Sequence, residues 1–188
     1  MSKEQFEHEL SYVSEQRREK VLRFKYASGR EQSLRAYRLL QRALKDVYGI
    51  EEAPVFRELE NGKPVIIGHE DIHFNISHCK NAVACAVSSH PVGIDIEQVK
   101  DKVKEELAQY VFCEEELEML HSADNPAAMF TRLWTMKESF VKLSGIGIEG
   151  KDQLRPLLAS YHNGDSPYSF LTEECLEHSW VMSVCCLK

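Results

Sequence analysis

An α+β fold is expected for this chain, because helical and strand-like patterns follow one another twice along its 188 residues. Residues 14–48 carry helical periodicity, and short apolar runs at strand period follow between 55 and 97. The order then repeats. Helical segments over 112–144 precede strand-like runs at 168–171 and 180–187. With 43% hydrophobic residues, the chain can bury a core, either as one compact unit or as two small ones sharing an interface.

Taken in order, the first helical region is expected in two pieces broken at Ala27-Ser28-Gly29. In the second piece Leu34, Tyr37, Leu40, Ala43, Leu44 and Val47 form an apolar stripe, and Gly49 is a natural stop. Residues 55–59 read as a strand and Glu60-Asn61-Gly62-Lys63-Pro64 as a turn. Residues 72–76 and 82–87 read as paired strands, and 92–97 as a third after the Ser88-Ser89-His90-Pro91 break. Acidic residues after Phe112-Cys113 favour a helix N-terminus there. Asn125-Pro126 caps and starts another helix, which runs to Ser144 and closes at Gly145. Residues 147–167 carry no pattern that assigns an element.

The net charge of −7 argues against a general nucleic-acid binder, but it hides an asymmetry. Basic residues dominate 17–45, whereas acidic ones dominate 95–124. That division suits an anionic small ligand held partly through a cation, although any single charge also fits a solvated helix face. The six cysteines form no C-x-x-C pair and read as reduced, mostly buried thiols. There is no apolar signal core at the N-terminus and no apolar run of membrane-spanning length, so a soluble, cytoplasmic protein is expected.

Two segments carry the chemistry. Gly93-Ile94-Asp95-Ile96-Glu97 alternates carboxylates with isoleucines, so Asp95 and Glu97 leave one face of a strand whose other face is apolar. Alone, such a pair also fits the wet face of an edge strand. In the helix over 130–144, Phe130, Leu133, Trp134, Phe140 and Val141 make a buried stripe joined by the stem of Lys137. Glu138 borders that stripe and needs a partner. Lys142, one turn on, would give an ordinary helical salt bridge worth about 0.3–0.5 kcal/mol. Brought together, three carboxylates and an amine suit a hard, oxygen-binding cation that grips a phosphate-bearing ligand. Phe74-Asn75-Ile76-Ser77-His78 adds Ser77 and His78 as phosphate donors, with Asn75 free to tie a turn, and Gly62-Lys63-Pro64 reads as a turn with an exposed lysine. His69-Glu70-Asp71-Ile72-His73 matches the H-E-x-x-H pattern of zinc peptidases, which need both histidines on one helix face. Pro64, Gly68 and the β-branched Val65-Ile66-Ile67 before it place it in a loop and strand start instead.

In order, G-K-P, F-N-I-S-H, G-I-D-I-E and F-x-x-L-W-T-x-K-E-S-x-x-K-x-x-G resemble the surfactin-type 4′-phosphopantetheinyl transferases, from about Arg17 to Leu187. That family moves the phosphopantetheine arm of coenzyme A onto a serine of an apo acyl or peptidyl carrier protein, releasing adenosine 3′,5′-bisphosphate. The resemblance implies two similar α+β halves, 1–91 and 92–188, related by a pseudo-two-fold axis with the active site in the cleft between them. It implies that Asp95, Glu97 and Glu138 hold Mg²⁺, for which Mn²⁺ could substitute. Lys142 would neutralise phosphate charge and Glu138, directly or through water, would accept the serine proton. Ser77 and His78 would contact the phosphates, with His78 near the 3′-phosphate. Gly62, Lys63 and Pro64 would line the adenine, and Arg17, Lys20 and Arg35 would meet the 3′-phosphate.

The resemblance also implies a monomer; from charge and hydropathy, no nucleic-acid or membrane partner is expected. Two departures stand out. The chain starts too close to Arg17 to supply the family's first strand comfortably, and Cys113 stands where a capping Ser or Thr is usual. Carrier docking is expected around 100–125. A competing reading is a non-catalytic coenzyme A or carrier-protein binding module, which would keep the basic helix and Ser77-His78 without needing Glu138 or Lys142. Zinc peptidase chemistry is the third reading.

Overall fold

The computed structural model of the chain describes residues 1–60, 62–145, 154–175, 177 and 179–188. Helix α1 (Lys3–Leu10) starts from a capping box in which the Ser2 hydroxyl accepts from the Gln5 amide and the Gln5 side chain reaches back. Helices α2 (Glu15–Arg23) and α3 (Ala27–Tyr48) follow. The break between them lies at Phe24-Lys25-Tyr26, not at Ala27-Ser28-Gly29, which instead opens α3. Gly29 lies against Phe24: a Cβ there would meet the ring at 3.1 Å, a tight contact. Arg30 Nε also donates to the Phe24 carbonyl at 2.8 Å, closing the corner.

Leu34, Tyr37, Leu40 and Leu44 of the expected stripe are fully buried, and Gly49 caps α3 in the left-handed conformation at φ 70°. Val47 departs from that stripe and is 62% exposed. The strands that follow are two antiparallel pairs, β1 (Phe56–Glu58) with β2 (Pro64–Ile66) and β3 (His73–His78) with β4 (Val83–Ser88). Leu40 and Leu44 pack with Ile66, Ile72 and Phe74 beneath them. The short β2 was not expected, since Pro64 reads locally as turn and only its pairing with Glu58 makes it strand. H-E-x-x-H ends at the start of β3 with no helix under it, as expected.

Strand β5 (Val92–Gln98) belongs to a separate, three-stranded antiparallel sheet of order β5-β7-β6, with β6 at Tyr168–Cys175 and β7 at Trp180–Leu187. Between β5 and β6 come α4 (Glu105–Val111), α5 (Glu114–Ser122) and α6 (Pro126–Ser144). A 3-10 turn (Arg155–Leu158) and a short helix α7 (Ala159–His162) follow within the stretch that the sequence left unassigned, of which 147–153 lies outside the described residues. Helix α6 has the expected bounds: Asn125 caps it, Pro126 opens it, and Gly145 closes it at φ 70°. The mixture of helices and antiparallel strands expected from the sequence is what forms. No helix among the described residues is long and apolar enough to cross a membrane. All six cysteines are free thiols, but only Cys79 and Cys185 are buried, so "mostly buried" was too strong.

One face of α6 packs into a core with α4 and α5, where Phe112, Leu120, Leu133 and Met136 meet. An ion pair lies inside it. Lys137 Nζ is 2.9 Å from Glu116 Oε2, and both side chains are essentially inaccessible. Glu116 Oε2 also accepts from the Cys113 amide at 2.9 Å, so the carboxylate that closes the cap of α5 also anchors α6. The Lys137 ammonium donates on to the Leu154 carbonyl at 2.6 Å. Removing one member of a buried pair strands the other charge. Glu116→Leu is therefore expected to lower unfolding free energy in urea by about 3–5 kcal/mol, with Glu116→Leu/Lys137→Met recovering most of it. Equal losses in the single and double variants would contradict this.

Candidate functional site

The sequence alternation in β5 places Gly93, Asp95 and Glu97 on one face, and α6 lies across that face. A Cβ on Gly93 would run into the Ser139 carbonyl and come within 2.6 Å of the Leu143 amide. Only glycine therefore permits this approach. Leu143 stands over Gly93, Lys142 over Asp95, and Glu138 and Trp134 near Glu97, so helix and strand run in opposite directions. From the other side β3 is tied to β5: the Ile94 amide donates to Asn75 Oδ1 at 3.1 Å. Asn75 thus bridges strands; it does not tie a local turn.

Asp95, Glu97, Glu138, Lys142, Ser77 and His78 line one open cavity of about 290 Å³. Lys142 Nζ donates to Asp95 Oδ1 at 2.6 Å and to the Ser77 hydroxyl at 2.9 Å, and that hydroxyl donates to Asp95 Oδ1 at 2.8 Å. Lys142 is thus paired across the fold with Asp95, in place of the helical pair with Glu138 that the spacing allowed. Asp95 is 3% exposed, and its Oδ2 is buried without a hydrogen-bond partner. Burial, and then the neighbouring Asp95 charge, push Glu97 above the ordinary carboxylate range. The same two causes raise Glu138, with Glu97 adding to them and Lys142 opposing.

A larger cavity of about 890 Å³ adjoins this one, and Ile76 lies on both walls. Arg17, Lys20, Phe24, Phe56 and Pro64 line it. The Arg17 guanidinium lies 4.8 Å from the centre of the Tyr37 ring and 5.5 Å from that of Phe56, and its Nη1 donates to Ser33 Oγ at 3.3 Å. Arg35 is elsewhere: it faces a separate cavity with Gln5, Glu9 and Arg38 and lies 3.9 Å from Glu31. Gly62 makes the turn between β1 and β2 at φ 77°, and Lys63 Nζ donates to the Leu143 carbonyl at 3.1 Å, joining that turn to the end of α6.

The profile of the 4′-phosphopantetheinyl transferase superfamily matches residues 91–185, and that of the 4′-phosphopantetheinyl transferase N-terminal region matches 1–90. The chain belongs to this superfamily. It is 36% identical over 151 residues to 4′-phosphopantetheinyl transferase Sfp of Bacillus subtilis (strain 168), covering 79% of this chain and 67% of that one. It is 38% identical over 141 residues to 4′-phosphopantetheinyl transferase gsp of Aneurinibacillus migulanus, covering 73% and 58%. It is 30% identical over 140 residues to 4′-phosphopantetheinyl transferase HetI of Nostoc sp. (strain PCC 7120 / SAG 25.82 / UTEX 2576), covering 70% and 59%. The chain thus spans about two thirds of these relatives' length or less. A solved holo-[acyl-carrier-protein] synthase from Neisseria meningitidis aligns with 52% of this chain and 97% of its own at TM-score 0.42 and 21% identity, too weak a likeness to add to the fold.

Within this superfamily member, the structure brings Asp95, Glu97, Glu138, Lys142, Ser77 and His78 to one cavity, and Arg17, Lys20 and Pro64 to its neighbour. It does not bring Arg35 to either. Among the described residues no group of three or more His, Cys, Asp or Glu side chains is arranged so as to hold a metal ion as it stands. The donor chemistry nonetheless suits a hard cation: the oxygens are carboxylates, and one of them, Asp95 Oδ2, is buried and unpaired. The role of Gly93 lies outside what the alternation of carboxylates and isoleucines predicts. A glycine at the second position of a strand otherwise rich in isoleucine is a signal for close backbone approach.

Two outcomes are expected. Gly93→Ala should destabilise the protein by about 3 kcal/mol or more, because backbone and not a flexible side chain fills the space. An unchanged melting temperature would refute the packing argument. Second, Glu97 and Glu138 hold their protons to higher pH when folded than when unfolded. The stability this confers is fully present below the unfolded value, near pH 4.3, and is lost as pH rises through the folded values. In metal-free buffer, Glu97→Gln/Glu138→Gln should melt higher than the unaltered protein at pH 7, with the difference vanishing near pH 4.

Proposed function

We propose that the chain transfers the 4′-phosphopantetheine moiety of coenzyme A to a serine of an apo acyl or peptidyl carrier protein, releasing adenosine 3′,5′-bisphosphate. The observation that carries this reading is the meeting of three carboxylates and Lys142 in one cavity, beside a larger one walled by Arg17 and Lys20. One cavity fits a metal-chelated pyrophosphate and the other a phosphorylated nucleoside. A non-catalytic binding module would have no use for Glu138 at the border of that site.

In this reading Arg17 and Lys20 meet the 3′-phosphate, and Pro64 with Gly62 and Lys63 borders the adenine. Ser77 and Lys142 face the pyrophosphate, with His78 near the 3′-phosphate. Asp95, Glu97 and Glu138 would hold Mg²⁺, or Mn²⁺ in its place, and the ion when bound supplies charge neutralisation and a template for the pyrophosphate. Glu138 accepts the proton of the carrier serine, directly or through water. The serine oxygen forms a bond to the phosphorus of the pantetheine phosphate as the bond to the bridging oxygen breaks, and that oxygen leaves with adenosine 3′,5′-bisphosphate. Such transfer depends on positioning and charge more than on covalent chemistry by the protein.

The same reading divides the chain into halves at 1–91 and 92–188, related by a pseudo-two-fold axis, with the site in the cleft between them. What supports it is the repeated order of helices and antiparallel strands, together with the Asn75–Ile94 bond at the junction. The active unit is a monomer in the cytoplasm, where free thiols persist, and the carrier approaches over 100–125.

Mass spectrometry of an apo carrier incubated with the protein, coenzyme A and Mg²⁺ should show addition of the phosphopantetheine mass. Glu138→Ala is expected to slow that step by about 10²–10⁴-fold, and Asp95→Ala to abolish it, with the fold intact by circular dichroism. Arg17→Ala should raise the KM for coenzyme A about tenfold or more and leave dephospho-coenzyme A unaffected. Undiminished transfer in both carboxylate variants would overturn the reading.

A further inference from the structure

Lys142 stands inside the carboxylate cluster itself. Its ammonium and the Ser77 hydroxyl both bond Asp95 Oδ1, at 2.6 and 2.8 Å, while Oδ2 of the same carboxylate stays buried and unpaired. Asp95 is therefore half satisfied. Glu97 and Glu138 line the same cavity. A divalent cation arriving at the free Asp95 Oδ2 meets an ammonium already bonded to the other oxygen of the same carboxylate. Two cations on one carboxylate repel each other strongly. Metal binding therefore favours departure of the ammonium, and a partly buried ammonium without a new counter-charge is costly.

We propose that Lys142 is an exchangeable counter-ion that makes divalent-cation binding at Asp95 conditional on an incoming pyrophosphate. The inference rests on the functional reading above and deepens it. Alone, the metal displaces Lys142 into a cavity that, among the described residues, offers it no anion beyond the carboxylates being claimed. Together with a pyrophosphate, the metal takes Asp95 and the phosphate oxygens take the ammonium, so each ligand strengthens the other. The coupling is reciprocal, because it is a property of the two-ligand cycle. Ser77 serves the exchange: its hydroxyl donates to Asp95 and accepts from Lys142, so it can follow either partner. The stem of Lys142 starts from α6, whose seat on Gly93 fixes the reach of the ammonium.

Titration of Mg²⁺ by calorimetry, and of Mn²⁺ by electron paramagnetic resonance, tests this with and without saturating coenzyme A. In the unaltered protein the metal alone should bind weakly, and coenzyme A should tighten it by about tenfold or more. In Lys142→Met the metal alone should bind about tenfold tighter than in the unaltered protein, and the tightening by coenzyme A should shrink by the same factor. Lys142→Gln, which keeps a donor for Asp95 but no charge, replaces the methionine variant if that one does not fold. Lys142→Arg should behave as the unaltered protein. Metal affinity without coenzyme A that is the same or weaker in the neutral variants overturns the exchange. Transfer to an apo carrier, read in parallel on the unaltered protein, keeps the two ideas separate. Transfer with no gain of metal affinity in the neutral variants sinks only the counter-ion role. Absence of both transfer and coenzyme A binding sinks the functional reading.

Discussion

The site exists because α6 can lie with its backbone directly on β5. Gly93 removes the one side chain that would hold them apart, and the Ser139 carbonyl and Leu143 amide occupy the space. With the helix at that distance, residues one turn apart on α6 reach residues two apart on β5. Lys142 then meets Asp95, and Glu138 comes to the cavity that Glu97 lines. A larger residue at 93 would lift the whole helix, so every polar contact in the cluster depends on a contact that contains no charge.

Helix α6 is covered on both sides, which explains why polar residues in it are buried and how they are tolerated. Thr135 Oγ1 lies 2.8 Å from Ser183 Oγ on β7, Ser139 donates to the Met136 carbonyl at 2.8 Å, and Lys137 meets Glu116 on the far side. Each buried group there has a partner, as a low-dielectric interior requires. Asp95 Oδ2 breaks that rule in the middle of the site, and Glu116 Oε1 breaks it beside His162, whose Nε2 is 3.6 Å away. The two cases differ. Glu116 sits in a closed core and holds helices together, whereas Asp95 borders an open cavity where a ligand can complete it.

Local signals made much of this legible. Asn125-Pro126 and Gly145 bound α6 because caps act over a few residues, and the alternation in Gly93-Ile94-Asp95-Ile96-Glu97 gave β5 its two faces. What was not legible depends on partners distant in sequence. Pro64 becomes strand by pairing with Glu58, and the corner after α2 falls at Phe24 because that ring packs on Gly29. The spacing of Glu138 and Lys142 advertised a pair within the helix, and the real partner of Lys142 lies 47 residues away. Burial decided between them: the carboxylate under the helix is the more deeply buried and has the greater need of a counter-charge.

The same reasoning separates the arginines of the basic segment, which the sequence could not rank. Arg35 is exposed on α3 and lies near Glu31, one turn away, so its charge is already partly answered. Arg38 is answered more fully, at 2.7 Å from Glu9. Arg17 is held against the Tyr37 and Phe56 rings with a neutral hydroxyl as its hydrogen-bond partner, and among the described residues no carboxylate pairs with it. Aromatic packing fixes a guanidinium without neutralising it, so little side-chain entropy remains to be lost when an anion arrives. A charge held this way at the wall of the large cavity is available to a phosphate in a sense that Arg35 is not.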